Sequence, residues 1–223
     1  GEIDAAHEYH ERSLTLAREA GERDLQARNL EQMAEHCLSH GAFEQALAQF
    51  EEAAKIDRED SRKRDLCHDL AGVGRALLRL DRGAEATKFL ADALALSGEL
   101  ADQKAEAWVS LYLGQAQRAA GLTADALKSL ERTQTLAGKI GEEGVEAAAL
   151  TEAVLVHTGQ QDWSSAVAAA QSAAELHRKL DDRRALARDL VEIGVALRHQ
   201  SRLDEAKSRL EDGLRLAHEA DDS

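Results

Sequence analysis

The 223-residue chain contains no proline, and only 3% of its residues are aromatic. Without proline the usual interruption of a helix is missing. The shortage of Val, Ile, Tyr and Phe segments leaves little from which to build a sheet, so no strand is expected. Cysteine is limited to Cys37 and Cys67, with no CxxC pair. That excludes a disulfide framework and suits a reducing compartment, the cytoplasm being the default. No apolar run approaches the roughly 20 residues of a membrane-spanning helix, and Gly1-Glu2-Ile3-Asp4 does not open a secretory signal, so no membrane partner is expected. Positive charge is also short: a formal net charge of -14 and a pI of about 5.1 argue against a surface built for nucleic acid, which draws on an excess of Lys and Arg. Met33 is the only methionine, so the chain reads as a processed or excised piece.

What is present is Ala, Leu, Glu, Arg and Gln, all strong helix formers. Set against itself the sequence repeats every 40 residues without insertion. One column reads Ala6, Ala46, Ala86, Ala126, Ala166, Ala206, a second Leu16, Ile56, Leu96, Leu136, Leu176, Leu216, and a third Ala27, Cys67, Ala107, Ala147, Ala187. Within each unit two segments carry apolar residues three and four apart, as in Leu30, Met33, Ala34, Cys37 and in Ala46, Phe50, Ala53, Ala54, so each unit is a helical hairpin. Gly1, Gly41, Asp81, Gly121, Gln161 and Ser201 mark the turn inside the hairpin. Polar stretches such as Gly21-Glu22-Arg23-Asp24 are expected to be longer connections between hairpins. Alanine columns mark helix crossings, where axes approach to roughly 8 to 10 Å only over short side chains.

These positions carry a resemblance. The series Leu30, Met33, Ala34, Cys37, Gly41, Ala46, Phe50, Ala53 resembles the tetratricopeptide-repeat signature, and it recurs at Leu70, Val73, Gly74, Leu77, Ala86, Leu90, Ala93 and at Leu190, Ile193, Gly194, Leu197, Ala206, Leu210. The family's unit is about 34 residues, so the extra residues are expected between hairpins, as in the longer repeats of kinesin light chains, spindle-orientation adaptors and bacterial regulators. The resemblance implies an all-α, right-handed α-solenoid of about eleven helices, one domain over 1–223. Its hairpins span 24–60, 61–100, 101–140, 141–180 and 181–223, and 1–23 supply the second helix of an incomplete unit.

It also implies protein or peptide partners held by the first helices of the hairpins. Rows just off the buried stripe run Arg28, His68, Trp108, Ala148, Arg188; Glu31, Ala71, Leu111, Thr151, Val191; Glu35, Arg75, Gln115, Leu155, Val195; and Leu38, Leu78, Arg118, Thr158, Arg198. Six arginines (28, 75, 79, 118, 188, 198) against Glu31 and Glu35 leave a surplus of four positive charges in an acidic chain. The expected peptide-binding residues are therefore Arg28, His68, Arg75, Arg79, Trp108, Leu111, Tyr112, Gln115, Arg118, Arg188 and Arg198, with Trp108 and Tyr112 one turn apart as an aromatic anchor. Arginine grips carboxylates bidentately, so an acidic or carboxylate-ended peptide is expected. The competing reading pairs these arginines with nearby acids inside the fold.

Catalysis and cofactors are not expected. His36, Cys37 and His40 are close in sequence, but Cys37 falls in the core column and no carboxylate completes a zinc set. His7-Glu8-Tyr9-His10 is one residue short of HExxH, and Gly138-Lys139 lacks the rest of a phosphate loop. Cys67 stands in an alanine column as a small buried hydrophobe. In the last helix Lys207 and Arg209 replace apolar columns, which reads as a polar cap. The first helix, with Tyr9, Leu14 and Leu16, has no preceding partner, which makes end-to-end homodimers conceivable. Two further functions remain open: a regulatory or sensor array within a larger signalling protein or enzyme, and a self-assembling structural repeat.

Overall fold

The computed structural model describes residues 2–221, and side chains from Tyr9 to Ala220. Gly1 and the side chains of Ala6 and His7 lie outside the described residues. Eleven helices and no strand are found among the described residues. The chain divides into two compact units, Gly1–Leu122 and Thr123–Ser223. The first holds α1 (Glu2–Ala20), α2 (Arg23–Ser39), α3 (Phe43–Glu59), α4 (Lys63–Arg79), α5 (Gly83–Glu99) and α6 (Gln103–Ala119). The second holds α7 (Thr123–Ile140), α8 (Glu143–Gly159), α9 (Trp163–Lys179), α10 (Arg183–His199) and α11 (Leu203–Asp221). No helix is long and apolar enough to cross a membrane among the described residues.

Every junction turns at a single left-handed residue, which corrects the expectation of short turns inside hairpins and longer connections between them. A residue with positive φ falls at each twentieth position, from Gly21 and Gly41 to Asp181 and Ser201. At Gly41 the amide donates to the Leu38 carbonyl at 3.4 Å and the next amide, of Ala42, donates to Cys37 at 2.9 Å. This is the Schellman closure, which satisfies carbonyls left over at the helix end. The same pair closes α3, where Ser61 donates to Arg58 and Arg62 to Asp57. The residues beyond the family's usual unit thus lengthen the helices, most of which run 17 residues, instead of forming loops. Six of the ten turn positions are filled by residues other than glycine, including Ala101 at φ 54°.

The alanine column is the crossing surface: Ala46, Ala86, Ala126, Ala166 and Ala206 are at most 3% exposed. In the first unit Phe50, Leu70, Val73, Leu77 and Leu90 pack with Val109 and Leu113 in one core. Each such side chain contributes about 1.5 to 3 kcal/mol when buried. Glycine in the helix interior has a packing reason, since a Cβ on Gly74 would come within 2.4 Å of Leu90 Cγ, and one on Gly194 within 2.6 Å of Leu210 Cγ. In the second unit Ile193, Leu197, Val154, Ala170 and Ala206 form the corresponding core.

One repeat column is polar and yet buried in part of the repeat. Asn29, Asp69, Val109, Ala149 and Asp189 share a register, and all five are buried. Asp69 faces Asp57 across the α3–α4 seam. Desolvation, followed by the charge of Asp57, pushes the Asp69 carboxyl up to about 9. Asp57 accepts from Arg62 Nε at 2.9 Å. At the equivalent α9–α10 seam, His177 Nδ1 and Asp189 Oδ2 are hydrogen-bonded at 2.6 Å.

At the two ends the structure exposes apolar side chains. Tyr9 and Leu16 on α1 are 75% and 65% exposed, while Leu14 is buried. The polar cap expected on α11 is incomplete, since Leu203 and Leu214 on the same helix are 64% and 60% exposed.

Candidate functional site

In the first unit α2 and α4 open the hairpins α2–α3 and α4–α5, and α6 stands at the same repeat position. Positions three and four apart on each point the same way, so Glu31 and Glu35, then His68, Ala71, Arg75 and Arg79, then Trp108, Tyr112 and Gln115 form three parallel rows. Together they wall two adjoining cavities. One, of about 370 Å³, is lined by Glu31, His68, Ala71, Trp108, Val109 and Tyr112, with Asp102 and Lys104 at the start of α6. The other, of about 330 Å³, is lined by Leu38, Leu78, Arg79, Gln115 and Ser39. Glu35, Arg75 and Tyr112 belong to both and form the ridge between them.

The ridge is held internally. Arg75 makes a bidentate pair with Glu35, at 2.6 Å and 3.2 Å, and its guanidinium carbon lies 5.7 Å from the Tyr112 ring centroid. Tyr112 stacks against Trp108 with centroids 5.9 Å apart, and burial raises its phenol pKa. Trp108 remains 37% exposed. Arg79 lies 4.6 Å over the Phe43 ring and has no carboxylate partner among the described residues. Glu31 is half-buried and its carboxyl pKa is raised, by desolvation first and by Asp65, Glu35 and Asp57 in addition, with His68 opposing.

Six of the expected binding residues, His68, Arg75, Arg79, Trp108, Tyr112 and Gln115, line this trough. Leu111 does not. It is 2% exposed, packed away from the cavities although Ala71, its counterpart one repeat earlier, lines one of them. Arg28 is exposed and pairs with Asp24 at 3.0 Å, and Arg118 is half-buried on α6 without walling either cavity. Arg188 and Arg198 belong to the second unit. Arg188 lines a cavity of about 800 Å³ between α10 and α11 with Arg184, Val191 and Leu214, and Arg198 lines a smaller one with Leu203 and Lys207.

Charge is the chief difference from the sequence count. Around the first-unit trough Glu31, Glu35 and Asp102 balance Arg75, Arg79 and Lys104. Glu31 and Glu35 head two of the rows expected from the sequence, whereas Asp102 and Lys104 fall in none of them, although Lys104 lies one turn before Trp108. Asp102 also caps α6, accepting from the Ala105 amide at 3.0 Å.

Elsewhere, His36 and His40 stack with centroids 4.2 Å apart. His40 Nδ1 donates to the His36 carbonyl at 2.8 Å. Cys37 points into the core. No group of three or more His, Cys, Asp or Glu suited to a metal occurs among the described residues. Cys67 is 2% exposed and its thiol pKa is pushed up to about 11 by burial.

Paired helices of this length, small residues at the crossings and a trough along the first helices define a tetratricopeptide-repeat fold. Solved structures agree. BtubC (BKLC) from P. vanneervenii superposes with a TM-score of 0.84 at 15% identity, over 99% of this chain and 93% of that one. A signal transduction ATPase with numerous domains from Pyrococcus horikoshii, which carries a tetratricopeptide repeat sensor, superposes with a TM-score of 0.79 at 14% identity, over 89% of this chain and 31% of that one. In sequence, outer dynein arm-docking complex subunit 4 of Danio rerio is 28% identical over 152 residues, 66% of this chain. The match spans only 31% of that protein's length. No family model matches the chain.

Proposed function

We propose that the chain is a protein-interaction scaffold that holds an extended segment of another protein in the trough of its first unit. The observation that carries this reading is the pair of adjoining cavities along α2, α4 and α6, with the Trp108 indole open between charged walls. Large aromatic and arginine side chains in such pockets dominate binding energy at protein interfaces. The acidic or carboxylate-ended ligand expected from the arginine count is supported at one place, Arg79, whose guanidinium has no carboxylate partner among the described residues and is oriented by Phe43. Arg75 supports it less, being already saturated by Glu35.

Selection of a random dodecapeptide library on the protein tests this. Selected peptides should lose at least tenfold in affinity on Trp108→Ala and on Arg79→Glu, and should bind Lys55→Glu, on the exposed side of α3, as they bind the parent. Equal binding to all three variants would remove the trough as the site.

A further inference from the structure

We propose that the cavity between α2, α4 and α6 is a subsite for one basic side chain, a lysine or arginine of the segment lying in the trough. This rests on the reading of the trough as a binding surface, and it assigns to that cavity a charge opposite to the one expected from the sequence. Glu31 stands half-buried in its wall, which the Trp108 indole also lines, with neither an ion pair nor a hydrogen bond among the described residues. A carboxylate in that setting has lost hydration that nothing in the fold replaces. Its acidic neighbours Glu35, Asp57 and Asp65 make the potential there more negative still, and only His68 opposes them.

The cations of the wall do not answer this need. Arg75 is committed to Glu35, and Lys104 is exposed at the rim. The aromatic side of the cavity suits a cation as well, because the Trp108 face is partly open and is braced by Tyr112 at 5.9 Å. A guanidinium or ammonium entering beside it would meet the π-face and the Glu31 carboxylate together. A carboxylate entering the same place would meet Glu31 and Asp102 instead. A basic residue here and an acidic one at Arg79 would fix the direction in which the segment lies.

The test uses two small probes, N-acetylarginine amide and its uncharged counterpart N-acetylnorleucine amide, titrated into the full chain. The readout is the indole N–H signals of Trp108 and Trp163 in a nitrogen-15 correlation spectrum. Trp163 lies in the second unit, stacked on His199, and serves as the internal control. The arginine probe should shift Trp108 and leave Trp163 in place, with the norleucine probe at least tenfold weaker. Glu31→Gln should weaken the arginine probe about tenfold, the scale of a lost charge-assisted hydrogen bond. Should that variant lose its dispersed spectrum, Trp108→Leu, followed through the Tyr112 ring signals, should weaken the arginine probe in its place.

No response of Trp108, an equal response to both probes, or undiminished binding to folded Glu31→Gln would overturn the proposal. Its failure is separable from that of the trough. Library peptides that need Trp108 and Arg79 but show no preference for a basic residue keep the trough and end the subsite. Arginine binding without any trough-dependent peptide does the reverse.

Discussion

Asp69 offers a measurable consequence of the packing between hairpins. It is 1% exposed and faces Asp57, whose charge is already matched by Arg62 at 2.9 Å. Burial, and then Asp57, raises its carboxyl pKa to about 9, whereas in the unfolded chain it titrates near 3.9. Between these values the folded state holds a proton that the unfolded state has released. The contribution of Asp69 to stability is therefore complete below about pH 4 and is lost progressively as pH rises toward 9. At pH 7 the loss is about 4 kcal/mol, from roughly three pH units at about 1.4 kcal/mol each. Asparagine is neutral at every pH and can donate to Asp57 as the protonated acid does. The same repeat position on α2 is already an asparagine, Asn29, at 5% exposure. Asp69→Asn should raise the unfolding free energy at pH 7.5 by about 2 to 4 kcal/mol, and by about 1 kcal/mol or less at pH 4.5. Urea unfolding followed by helical circular dichroism, with both proteins measured at both pH values, reads this directly. A destabilised variant at pH 7.5, or a gain independent of pH, would refute the buried-proton argument.

Two further predictions concern the backbone and packing of the repeat. Gly74→Ala, which in an exposed helix would gain about 1 kcal/mol, should instead destabilise the first unit by about 1 to 3 kcal/mol, because the new methyl meets Leu90 at 2.4 Å; an unfolding midpoint at or above that of the parent would contradict this. Ala101→Gly should stabilise by about 0.5 to 1 kcal/mol, since the exposed Ala101 sits at φ 54°, where a Cβ costs about 1 to 2 kcal/mol and glycine returns part of that through its looser unfolded chain. A lowered midpoint in thermal unfolding would count against strain at this turn.

The hairpin content was legible because a strict period places identical demands on identical positions. Each alanine of the 46-to-206 column had to meet a neighbouring helix, and each is buried. Two local features were misread for a shared reason. Polar residues between hairpins suggested long connections, yet Asp60-Ser61-Arg62 closes α3 as compactly as His40-Gly41-Ala42 closes α2. A left-handed turn residue need not be glycine, so composition alone does not measure the length of a turn. The column of Asn29, Asp69 and Asp189 was missed because a polar residue on a helix reads as surface until its neighbours are known.

The trough shows the same division at the level of the site. Helical spacing aligned His68 with Arg75 and Arg79, and Trp108 with Tyr112 and Gln115, since residues three and four apart share a side, and the resemblance to tetratricopeptide repeats implied that both rows face one groove. Helical spacing did not decide that Leu111 turns inward, that Arg75 is taken up by Glu35, or that Glu31 is left half-buried without a partner. Periodicity acts within a helix and is carried by the chain itself. The burial and charge balance of a side chain depend on residues some 40 positions away, brought beside it only when hairpins pack.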